Sequence, residues 1–103
     1  MQKSKEFGKP IVNISKIHKD LQGNDGLLAM YAIRQCVMNN ISDKMTIMLL
    51  QELKSSTLTE WGYKISGCAV AALHLLGAEK YTGNDRQINE LISTRMFTGG
   101  KGS

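Results

Sequence analysis

Cys36, Cys68, His18 and His74 are the residues whose types could do the most chemistry. Together they could form a four-ligand zinc site, or a cysteine–histidine nucleophile pair. Their spacing supports neither. There is no CxxC and no HxxxH, the patterns that preset metal ligands locally. Cys68 and His74 are six residues apart on one apolar run, so they are not neighbours on a helix face. Both cysteines sit among apolar residues with no local base to activate them. Burial raises a thiol's pKa and makes it inert, so both are expected as reduced, structural thiols. The carboxylates are equally unpromising. Asp20 and Asp25 flank a turn, and Asp43 and Asp85 precede apolar-periodic runs, where capping accounts for them. The terminal GGKGS is too short for a phosphate-binding loop and follows no strand pattern. The expectation is therefore no enzyme, no metal and no cofactor.

Contact chemistry is better represented. Trp61 and Tyr63 stand beside Lys64, and Tyr81 stands beside Lys80. Aromatic rings with a polar tip suit half-wet surfaces. Tryptophan, tyrosine and arginine also dominate binding hot spots. Trp61, Tyr63, Lys64, Tyr81 and Arg34 are the candidate partner-binding residues. The plainer alternative is that Trp61 covers one end of the core. Met30 with Met38, or Met45 with Met48, could line an adaptable apolar patch or simply fill the core.

The charge is uneven. Residues 1–19 hold Lys3, Lys5, Lys9, Lys16 and Lys19 against Glu6 alone, which accounts for the whole net charge of +4. Such a stretch could touch nucleic acid weakly and without sequence preference. A solvated terminus is the simpler reading. No apolar run approaches the ~18 residues of a membrane span. The lysines near the start precede no apolar stretch of the signal-peptide kind. A cytoplasmic protein without membrane contact is expected.

These residues need elements to hold them. Residues 1–12 are expected as a flexible basic arm, 13–97 as a helical domain and 98–103 as a disordered tail. Asn13 caps a first helix to about Gln22, with Ile14, Ile17 and Leu21 in one stripe and Gly23 as terminator. Asn24-Asp25 opens a second helix from Gly26 to about Asn39, whose face carries Leu28, Ala32 and Cys36. Ser42-Asp43 opens a third near Lys44 to Lys54, with Ile47, Met48, Leu50 and Leu53 in one band. Thr57 and Glu60 match a capping box for a fourth helix from about Thr59 to Leu76, ended by Gly77. Gly62 inside it implies close packing or a kink. Its stretch Ile65 to Gly77 is apolar nearly all round, which places it at the centre of the core. Asn84-Asp85 opens a last helix with Ile88, Leu91 and Ile92, extended by Met96 and Phe97. No strand is expected.

The helices also repeat. An offset of 37 residues sets Leu28 on Ile65, Ala32 on Ala69, Ile33 on Val70, Cys36 on Leu73 and Asn40 on Gly77. The odd helices share Ile14-x-x-Ile17, Ile47-x-x-Leu50 and Ile88-x-x-Leu91. This alternation resembles the HEAT-repeat family of helical-hairpin solenoids over Asn13 to Ile92. Asp43 and Arg34 fall roughly where that family often has such residues. The resemblance implies an all-α fold of about five helices in antiparallel pairs. An irregular four- or five-helix bundle is the alternative. Helical stacks bind partners in grooves between units and on exposed ends. The expected function is a small non-catalytic module that binds another protein or itself, with lysine-mediated nucleic-acid binding as the second choice.

Overall fold

The computed structural model describes residues 12–96. The chain forms α1 (Ile14–Gln22), α2 (Gly26–Met38), α3 (Lys44–Leu53), β1 (Thr59–Glu60), β2 (Tyr63–Lys64), α4 (Ile65–Leu75) and α5 (Arg86–Ser93). It is a mostly helical fold with one very short hairpin.

Four helices start where a short polar side chain can accept from orphan N–H groups. Asn13 accepts from Lys16, Asp25 from Leu27 and Leu28, Asp43 from Thr46, and Asp85 from Ile88. α4 is the core helix. It packs on α2, α3 and α5, and Ile65, Cys68, Ala69, Ala71, Ala72 and Leu73 are fully buried. Its small residues let neighbours approach. A Cβ built on Gly67 would lie 3.3 Å from Ile88 Cγ1 on α5. α1 packs on α2 and α3. Cys36 and Cys68 are free and buried among these contacts.

Three helices end in one kind of left-handed cap, α5 among them, with Arg95 at φ 51 and Met96 N–H donating to Leu91 C=O at 2.7 Å. α2 ends with Asn40 at φ 53 and Ile41 N–H donating to Cys36 C=O at 2.8 Å. α4 ends with Gly77 at φ 77 and Ala78 N–H donating to Leu73 C=O at 2.9 Å. Both are left-handed caps of the same pattern. α5 breaks the alternation, because the segment after α4 runs back along it. Ile88 therefore meets Gly67 near the start of α4, not its end.

Several expectations need correction. The fourth helix does not begin at Thr59. Trp61 and Gly62 have φ of 55° and 80°, which no right-handed helix accommodates, and Thr59 pairs with Lys64 and Glu60 with Tyr63. Gly62 is thus a turn residue, and a strand pair exists where none was expected. The capping box at Thr57 is absent. α4 is led by Lys64 without a side-chain cap, and Ile65 N–H instead donates to Leu58 C=O at 3.0 Å. Gly23 caps α1 in an extended conformation, not a left-handed one. Leu28 and Met48 face outward, 39% and 46% exposed, while Ala29, Thr46 and Leu49 turn inward. Val12, assigned to the arm, packs half-buried against the core. Met96 is buried, whereas Phe97, residues 1–11 and the tail 98–103 lie outside the described residues.

Candidate partner-binding surface

Trp61 occupies the tip of the hairpin. A two-residue turn with φ above zero at both positions is the type I′ geometry, which matches strand twist and favours Asn-Gly. Glycine at position 62 meets that need without strain. Tryptophan at position 61 does not, since a left-handed L-residue costs roughly 1–2 kcal/mol. Its side chain recovers part of that cost on α2. The Trp61 and Tyr31 rings meet edge to face, with centroids 5.7 Å apart and planes at 68°. Such pairs contribute about 0.5–1.5 kcal/mol beyond area burial.

The pair remains open to solvent. Trp61 is 55% exposed and Tyr31 44%. Leu28, one turn before Tyr31 on α2, continues the patch, since residues three apart share a helix face. Met38 lies two turns further along the same outward arc and is also exposed. Among the described residues the other large exposed apolar side chains are Ile14 on α1 and Met45 and Met48 on α3, so α2 and the hairpin carry four of seven, and neighbouring exposed side chains mark an interaction site more readily than single ones do.

The hairpin is anchored from both sides. Gln87 of α5 accepts from Lys64 N–H at 3.0 Å and donates to Gly62 C=O at 3.1 Å. Against α2 the fit is close, because a Cβ on Gly26 would sit 2.8 Å from Thr59 O. Trp61 is thereby presented on a fixed support. Tyr63, on β2, is half-buried and packs against the core. Burial pushes its phenol up, and the nearby Glu90 carboxylate and Cys68 add to the shift.

The remaining sequence candidates separate. Lys64 shares the hairpin, with its side chain exposed. Tyr81 lies in the loop after α4. Its N–H donates to His74 Nδ1 at 2.9 Å and its hydroxyl accepts from Asp85 N–H at 2.9 Å, so it braces the entry to α5. Arg34 donates from Nε to Met96 C=O at 3.3 Å, tying α2 to the end of α5. Lys16 is ion-paired with Asp20 at 2.7 Å, and Lys19 is exposed. Lys3, Lys5 and Lys9 lie outside the described residues. Tyr31 and Leu28 were not among the sequence candidates. Their outward position could be inferred only once the neighbouring hairpin was known.

One polar cluster was not foreseen. His18 Nε2 lies 2.8 Å from Thr46 Oγ1, and Thr46 donates to Asp43 Oδ1 at 2.6 Å. This is not a nucleophile relay, which sets histidine between hydroxyl and carboxylate: the Thr46 hydroxyl gives its proton to Asp43, and Thr46 is fully buried. The cluster instead ties α1 to the cap of α3. The Thr46 hydroxyl bond holds Asp43's carboxyl below its ordinary value, helped by backbone N–H groups and by His18. Among the described residues, no three His, Cys, Asp or Glu side chains gather as a metal site. No described helix is long and apolar enough to cross a membrane.

Compared with protein-family models, curated proteins and solved structures, the chain matches none.

Proposed function

We propose that this protein is a small interaction module that recognises another protein, or a second copy of itself, through the Trp61–Tyr31–Leu28 surface. One observation carries the reading. The chain spends backbone strain to hold its single tryptophan, half-exposed, at the tip of a braced hairpin. A residue whose only task was to close that turn would be asparagine or glycine. The rings are large and lose little entropy on contact, which suits a hot spot. Non-catalytic action is part of this reading: the Thr46 hydroxyl and both thiols are buried.

The helical-hairpin solenoid remains the proposed ancestry for α1–α4. It is supported by the packing of α1 on α2, of α3 on α4 and of α2 on α4. The nucleic-acid alternative gains no supporting contact from Lys16, which is already paired.

The test is affinity capture from the native host, using the wild type and Trp61→Asn as baits. A binding role expects a partner held by the first and lost by the second. Equal capture by both would reject the surface. Light scattering at micromolar concentration covers the self-association branch.

A further inference from the structure

Sulfur is divided by depth in this chain. Among the described residues Met30 and Met96 are fully buried, as are Cys36 and Cys68. Met38, Met45 and Met48 are 55%, 47% and 46% exposed. Methionine is among the residues most often buried whole, so three half-bare thioethers on two helices are a feature of this surface. Met45 and Met48 are three residues apart and share one face of α3. Met38 stands seven residues after Tyr31 on α2. Two turns carry it about 10 Å along the axis, on the arc that Leu28 and Tyr31 occupy.

The two kinds of sulfur answer an oxidant differently. A thiol reacts as its thiolate. Burial pushes the Cys36 and Cys68 thiols far above neutral and also shields them. A thioether carries no proton, so it reacts as it stands wherever the oxidant reaches it. Hydrogen peroxide supplies the oxygen atom. The sulfur lone pair attacks one peroxide oxygen, the O–O bond breaks, and the departing hydroxide takes the remaining hydroxyl proton to leave as water. Sulfur loses two electrons and the peroxide gains them. The sulfoxide is polar where the thioether was apolar, and methionine sulfoxide reductases reverse the change.

We propose that Met38, Met45 and Met48 are the sites at which peroxide reversibly modifies the native chain, and that a sulfoxide at Met38 weakens the apolar contacts made by the Trp61–Tyr31 face. The second half deepens the interaction reading above, as a regulation of that surface, and rests on it.

The experiment treats the full chain with hydrogen peroxide, maps the added oxygen by peptide mass and measures retention on a phenyl matrix, which stands in for an apolar partner. One oxygen is expected at each of Met38, Met45 and Met48 before any appears at Met30, Met96, Cys36 or Cys68. Met1 lies outside the described residues and is read as its own peptide. The rate should stay flat between about pH 5 and 8, which a thiolate reaction would not do. Retention should fall on oxidation and return after treatment with methionine sulfoxide reductases. The fall should persist in the double variant Met45→Leu, Met48→Leu and be mostly lost in Met38→Leu, a volume-conserving change. Equal or faster addition at Met30, Met96 or a thiol would overturn the site assignment. A fall in retention that survives Met38→Leu in full would overturn the link to the aromatic face. Neither readout uses the natural partner, so failure here leaves the Trp61–Tyr31 reading standing. A partner indifferent to Trp61→Asn would sink that reading and leave the oxidation sites in place.

Discussion

The Trp61 ring stands edge to face on the Tyr31 ring, 5.7 Å between centroids, and so joins the tip of the hairpin to α2. The contact fixes the direction of an otherwise projecting side chain. It also makes the hairpin a part of the α2 surface.

Replacing Trp61 by asparagine separates folding from binding. The turn gains a residue suited to φ of 55°, while the edge-to-face contact, worth about 0.5–1.5 kcal/mol, is lost. These effects oppose each other, so thermal unfolding should move by only a few degrees, on the order of ±1 kcal/mol. Partner binding should fall by at least about tenfold, as for a hot-spot residue. Circular dichroism and a binding titration on the same preparations check both halves.

Asp43 makes stability acid-sensitive. Its carboxyl is held below the ordinary 3.8 chiefly by the Thr46 hydroxyl. A lowered pKa stabilises the fold above the unfolded value, and that contribution is lost as pH falls through the folded value. Melting temperature should therefore decline below about pH 4, and the decline should be shallower in Thr46→Val. Asp43→Ala should cost about 1–2 kcal/mol at neutral pH through loss of the cap. Melts between pH 2 and 7 test the sign, and an unchanged acid slope in Thr46→Val would contradict it.

Much of this was legible in the sequence, and the reasons are local. Asn13, Asp25, Asp43 and Asp85 mark helix starts because a short side-chain oxygen satisfies N–H groups within its own turn. Gly77 and Asn40 mark helix ends because they tolerate left-handed geometry. The Ile65–Leu75 core helix follows from having no polar face. The hairpin was hidden because Thr57 and Glu60 have capping-box spacing and Trp61 is a poor turn residue. Only tertiary support from Gln87 and Tyr31 makes that turn persist. The outward turns of Leu28 and Met48 also depend on neighbours distant in sequence, so helical periodicity misassigned both.

The two thiols should be silent in the native protein. Burial pushes Cys36 to about 12, with Asp43 adding to it, and Cys68 to about 11. At pH 8 their thiolate fractions are on the order of one in a thousand or less. Iodoacetamide should modify neither thiol in buffer and both in denaturant, read by intact mass. Fast native labelling of either would contradict the buried placement.

Gly67 sets the spacing between α4 and α5. Its missing Cβ leaves room for Ile88 Cγ1. Gly67→Val should overpack the contact and cost about 1–3 kcal/mol. In an Ile88→Ala background the same change should cost less, because the two sites share one space. Urea unfolding of the four proteins measures the coupling, and simple additivity would refute it.

The most direct measurement is amide hydrogen exchange on the chain with and without the captured partner or second copy. A binding surface at the hairpin predicts slowed exchange in Thr59–Lys64 and the first half of α2, with the outer face of α1 unchanged. Protection confined to α1 or α5, with the hairpin exchanging as before, would contradict it.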